Sequence, residues 1–112
     1  MEDMNSKIGT IWKSLLEKSE EKDLDRLAIL QALKCTEELG EVADMVLRDA
    51  GANRKRKEIP KEEIRRRLGE EIADVMLALH LLAKNRGIDV NKSLREKIEI
   101  ELERWEREAV TR

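Results

Sequence analysis

The chain has 112 residues, which fits one domain spanning residues 1–112, with 43% charged residues, 2% aromatic residues and a formal net charge of −2. This balance offers no basic surplus for a nucleic-acid backbone, and the one cysteine, Cys35, excludes an internal disulfide and fits a reducing cytosol. Such charge density with so few aromatic residues points to long, ion-paired helices. Met1-Glu2-Asp3 is acidic, so no secretory leader is expected. The longest apolar run, Ile72 to Ala83, is broken by Asp74 and His80 and is too short for a bilayer. A cytoplasmic location is therefore expected, with no membrane partner and no stable nucleic-acid partner.

The first predicted helix runs from about Asn5 to Lys22. Ile8, Ile11, Trp12, Leu15 and Leu16 recur at the spacing of an amphipathic helix. Trp12 is read as a core or interface residue in preference to a base-stacking one. The charged break Glu20-Glu21-Lys22-Asp23 follows, and Asp23 or Asp25 is placed to cap a second helix. That helix carries Leu27, Leu30, Leu33, Met45 and Val46 and should stop near Gly51. Cys35 within it reads as a small core residue. Asp49-Ala50-Gly51-Ala52-Asn53 is turn chemistry, and Pro60 suits the first position of a third helix. Between them, Arg54-Lys55-Arg56-Lys57 is either a solvated loop or a cationic flap over polyphosphate.

The third helix is expected over Pro60 to Asn85, with Gly87 as a left-handed stop. Its stretch Val75 to Ala83 is apolar nearly all round, and such a helix must be covered on every side. Three other helices from so short a chain would struggle to cover it, so a subunit interface and at least a homodimer, or a homotetramer, are expected. The fourth helix starts near Asp89 or Val90, with Leu94, Ile98, Leu102 and Trp105 as its apolar stripe. The expected fold is all-α: four helices in a bundle-like arrangement completed by oligomerisation.

Two acidic runs stand out: Glu37-Glu38-Leu39-Gly40-Glu41 on the second helix and Glu70-Glu71-Ile72-Ala73-Asp74 on the third. Residues three or four apart share a helix face. Lys34, Glu38, Glu41 and Met45 therefore form one stripe, and Arg67, Glu71, Asp74 and Ala78 another. A short connection favours antiparallel neighbours, and pairing the stripes sets the carboxylates opposite each other at mid-height. Four such groups beside a core repel one another and lose hydration, so they call for a cation. An all-oxygen set favours Mg²⁺, with Mn²⁺ also suited, over Zn²⁺. His80 is rotated roughly 150° from the stripe and reads as a packed or interface residue.

At these residues the chain resembles the MazG-like branch of the all-α nucleoside triphosphate pyrophosphohydrolases, which carries Glu-Glu-x-x-Glu followed at a distance by Glu-x-x-Asp. The resemblance extends over roughly Leu24 to Arg104. It implies a MazG-type fold, a nucleoside triphosphate substrate, and hydrolysis to the nucleoside monophosphate and pyrophosphate, with the clearing of non-standard or surplus deoxynucleotides as the role. It carries the metal-ligand role to Glu38, Glu41, Glu71 and Asp74. Glu37, rotated about 70° off the stripe by the helical period, is the candidate general base or else a surface glutamate. Lys34 is a candidate phosphate contact, as are Lys97 and Arg104 on the last helix, unless these two simply pair with Glu101. The family's asparagine between the last two reads Glu101 here, a departure from the pattern.

Two other readings compete. Phosphoribosyl-ATP pyrophosphohydrolases share the Lys-x-x-Glu-Glu-x-x-Glu start but place a histidine four residues after the aspartate, where this chain has Ala78. A non-catalytic helical interaction module would pair its acidic stripes with Lys34, Arg67 or a partner.

Overall fold

A computed structural model describes residues 3–51 and 59–111. The described residues form four helices: α1 Met4–Lys18, α2 Leu24–Asp49, α3 Lys61–Asn85 and α4 Val90–Thr111. Among these residues there is no strand, and no helix is long and apolar enough to cross a membrane. The all-helical expectation thus holds. The Arg54–Lys57 flap and the Ala52-Asn53 part of the turn lie outside the described residues.

Helix boundaries follow from local chemistry. Asp3 caps α1 by accepting from the Ser6 amide at 2.7 Å, and Asp23 caps α2 by accepting from the Arg26 amide at 3.0 Å. Such a side chain satisfies an amide of the first turn that has no partner within the helix. α1 ends at Lys18, earlier than the expected Lys22. Ser19 turns extended, and Lys22 Nζ folds back to donate to the carbonyls of Leu16 and Glu17, at 3.0 and 3.3 Å. The lysine read as the tail of the helix instead caps its C-terminus, where a cation also suits the helix dipole. Pro60, with ψ 145°, sits one residue before the first helical position and not within it. Gly87 stops α3 at φ +65°, and the Ile88 amide donates back to the Ala83 carbonyl at 2.9 Å. Asp89 opens α4 by accepting from the Lys92 amide at 3.1 Å.

α2 and α3 form an antiparallel hairpin that carries most of the tertiary packing, and α1 lies against α3. The buried apolar residues are Ile8 of α1, Leu27, Ala28, Cys35 and Met45 of α2, and Ile64 and Ala83 of α3. Burial pushes the Cys35 thiol pKa up, as befits a core residue. The hairpin is tied at both ends. At one end Arg65 Nε donates to Asp49 Oδ1 at 3.2 Å. At the other, buried Asn85 donates through Nδ2 to the Leu24 carbonyl at 3.1 Å and to Gln31 Oε1 at 2.7 Å. Arg86 then donates to Asn85 Oδ1 and, through Nη1, to Asp25.

α4 does not join this hairpin. It has no substantial packing partner, and Leu94, Ile98, Leu102 and Trp105, its apolar stripe, are all exposed. A single chain therefore forms a three-helix body with a projecting fourth helix, short of a closed four-helix bundle. The Cα radius of gyration is 18.1 Å, against about 13 Å for a compact domain of this length. Among the described residues, no other helix packs substantially against the apolar face of α4.

Two substitutions test this account of the ends. Asp23→Ala should lower stability by about 1 kcal/mol. Asn85→Ala, which strands the partners of a buried amide, should cost about 1–3 kcal/mol. Urea denaturation at neutral pH reads both.

Candidate metal centre

The antiparallel pairing of α2 and α3 brings the two acidic runs together. One carboxylate oxygen from each of Glu38, Glu71 and Asp74 lies within 4.8 Å of the other two. Glu38 and Glu71 are half-buried, while Asp74 is exposed. Glu41 adjoins the same group: its pKa is raised above the ordinary value, chiefly by sharing a hydrogen bond with Glu71, then by the charges of Glu38 and Glu71. A raised value means that adding another negative charge here is unfavourable. All four carboxylates assigned on sequence grounds thus gather in one place, three by distance and Glu41 by its electrostatic link to two of them.

Charge in the cluster is only partly balanced from within. Lys34 Nζ lies 3.1 Å from Glu38 Oε1 and 3.8 Å from Glu37 Oε2. Its pKa is raised, first by the hydrogen bond to Glu38 and then by the charge of Glu37. Lys34 therefore partly neutralises the acidic edge. Glu71 Oε2 remains buried with no hydrogen-bond partner. A buried carboxylate oxygen without a donor is costly, and a cation is the group that would relieve it. The donor set is all oxygen, which suits a hard divalent ion. The residues present fit Mg²⁺ or Mn²⁺.

Other assigned residues stand apart. Glu37 is exposed, and its carboxylate lies 3.8 Å from Lys34 Nζ. Arg67 pairs with Glu63 at 3.1 Å, and Arg66 joins Glu63 and Glu70. These guanidiniums, Arg66 first, hold the Glu63 carboxyl down to about 2. On α4, Lys97 pairs with Glu101 at 3.2 Å, and Arg104 lies 3.5 Å from Glu101 and 3.4 Å from Glu108. Within one chain these two cations ride on a helix that makes no substantial packing with either helix of the cluster. His80 lines a different cleft, with Asn5, Lys84 and Asn91, where α3 passes into α4.

One neighbouring feature escaped the sequence. A cleft of about 90 Å³ lies between α1, α2 and α3, walled by Leu15, Gln31, Lys34, Ala78 and Leu81. Gln31 and Lys34 continue the Glu38/Glu41 stripe at three- and four-residue steps, and Ala78 and Leu81 continue the Glu71/Asp74 stripe. The signal was the extension of both stripes beyond the carboxylates.

The Glu41 shift sets a pH test. A carboxyl whose folded pKa is raised favours folding while protonated, and loses that contribution as pH climbs from the ordinary 4.5 through the raised value. In chelator, Glu41→Gln should therefore gain stability relative to the wild type as pH rises through this window. Paired thermal melts at stepped pH measure the difference. A constant difference across the window would contradict the clustering. Compared with known protein families, curated proteins and solved structures, the chain matches none.

Proposed function

We propose that the chain is a divalent-metal-dependent nucleoside triphosphate pyrophosphohydrolase of MazG-like type. The observation that carries this reading is the convergence of Glu38, Glu71 and Asp74, with Glu41 beside them and Glu71 Oε2 left without a partner. The sequence resemblance supplies the reaction. The water oxygen bonds to the α-phosphorus, the α–β anhydride bond breaks, and the pair of electrons leaves with pyrophosphate.

In this reading Glu38, Glu41, Glu71 and Asp74 hold Mg²⁺, or Mn²⁺ in its place. When bound, the metal neutralises phosphate charge and makes a coordinated water more acidic. Lys34, 3.1 Å from Glu38, would bind a phosphate oxygen beside the carboxylates. Glu37, one residue from Glu38 and exposed, is the group to orient water and accept its proton. Lys97 and Arg104 reach phosphates only if α4 folds over a hairpin, its own or that of another copy.

The same proposal includes self-association into a homodimer or homotetramer. The surface of one chain is 9124 Å² at 13.0 kDa, against about 6,300 Å² for a compact monomer of that mass. Such an excess is of the order that obligate homo-oligomers bury. It includes Met76 and Leu79 of α3 as well as the α4 stripe. A second reading, a helical interaction module, is favoured by the Lys34–Glu38 pair, which balances part of the charge without metal. Phosphoribosyl-ATP hydrolysis gains no support, since His80 lines a cleft that contains none of the four carboxylates.

Pyrophosphate release from ribo- and deoxynucleoside triphosphates with Mg²⁺ tests the activity. Release should vanish with chelator and fall by about 100-fold or more in Glu71→Gln. Equal release by both proteins, or none by the wild type, would sink the proposal. Sedimentation equilibrium at micromolar concentration should give at least twice the chain mass, and a monomer would contradict the self-association.

A further inference from the structure

We propose that a second copy of this chain docks through Trp105 of α4, whose indole seats in a cleft at the start of α2 walled by Ile29 and Leu30 and rimmed by Glu21 and Arg26. This rests on the self-association proposed above and names the contact that makes it.

The cleft is shaped by the turn that joins α1 to α2. Lys22 folds back on the α1 carbonyls of Leu16 and Glu17, and Glu21 Oε2 accepts from the Asp23 amide at 3.3 Å. These bonds fix Glu21 beside the first turns of α2. There Arg26, Ile29 and Leu30 stand three and four residues apart and share one face. With Glu21 they line a cleft of about 270 Å³, against about 150 Å³ for an apolar cavity that holds a benzene ring. Ile29 and Leu30 are 62% and 53% exposed, so two large apolar side chains face water. Among the described residues the Arg26 guanidinium has no acceptor and Glu21 Oε1 has no donor.

Trp105 has the matching chemistry. It is 60% exposed, on a helix that makes no substantial packing with the others. An indole offers a flat apolar body, one N–H donor and an electron-rich face. The body suits Ile29 and Leu30, the donor suits the Glu21 carboxylate, and the ring face suits the Arg26 cation. Glu101 and Glu108, four residues before Trp105 and three after it, share its side of α4 and add negative charge for Arg26. A second copy supplies this indole with no change in either chain. The 9124 Å² of one chain exceeds a compact monomer by about 2,800 Å², ample for the roughly 800 Å² that each partner gives to a standard interface. Two copies related by a two-fold axis make the contact twice, Trp105 of each in the cleft of the other, and the assembly closes.

Sedimentation equilibrium compares the wild type, Trp105→Ala and Leu30→Glu. Both positions are exposed in one chain, so neither change empties a core, and circular dichroism checks that the helices persist. Each variant should associate about 30-fold or more weakly than the wild type. An equal mixture of the two should recover part of the association, because a mixed pair keeps one intact Trp105 and one intact cleft facing each other. A wild type that oligomerises no better than the variants would overturn this contact and leave self-association standing. A monomeric wild type would overturn both. Loss in both variants with no recovery on mixing would also overturn the pairing.

Fluorescence locates the indole. In a Trp12→Phe background Trp105 is the one tryptophan left, and its emission should shift to the blue on association and to the red on dilution. Blue emission from a monomer would put the indole in the cleft of its own chain and overturn the proposal.

Discussion

The repulsion among the carboxylates of Glu38, Glu41 and Glu71, with Asp74 beside them, is the constraint around which this molecule is built. The α2–α3 hairpin forces it, since the apolar faces that hold the hairpin together lie on either side of the acidic stripes. Leu27, Ala28, Cys35 and Met45 bury one helix against Ile64 and Ala83 of the other. Packing them brings like charges within reach, and the raised pKa of Glu41 registers the cost. Lys34 relieves the edge at Glu38, but among the described residues Glu71 Oε2 has no hydrogen-bond partner. Hairpin packing and charge balance are thus coupled, and a divalent cation would serve both.

A second polar system sits at the other end of the hairpin and acts oppositely. Arg86, Asn85 and Gln31 satisfy one another in sequence and tie the end of α3 to the start of α2. The relay anchors the helices by directional bonds where the carboxylates push them apart. Its one open valence is Gln31 Nε2. Both polar systems therefore end in an unsatisfied atom, and these atoms lie on stripes of the same two helices.

Much of this was legible in the sequence because helix periodicity is a strong signal in a chain with so little else. The stripes Lys34-Glu38-Glu41 and Glu71-Asp74 needed only the 3.6-residue period and an antiparallel partner. Asp23 and Gly87 announced helix limits through capping chemistry and φ > 0. What was hidden depended on long-range or flexible partners. Lys22 looks like another helical residue until its ammonium finds the Leu16 and Glu17 carbonyls. Asn85 and Gln31 are ordinary polar residues until packing brings together positions 54 apart. The stripe of α4 was legible from its period, but a pattern within one helix cannot say which surface covers it. Lys97 and Arg104, placed on that helix, inherit the same gap.

The central claim is that the carboxylate cluster binds a divalent cation, and it can be measured without assuming a substrate. Electron paramagnetic resonance of Mn²⁺ titrated into the protein distinguishes bound from free ion directly. The account predicts at least one bound Mn²⁺ per chain, displaced by Mg²⁺ and lost in the Glu38→Gln/Glu71→Gln double variant. An unchanged free-ion signal in the wild type, or equal binding by the double variant, would contradict it.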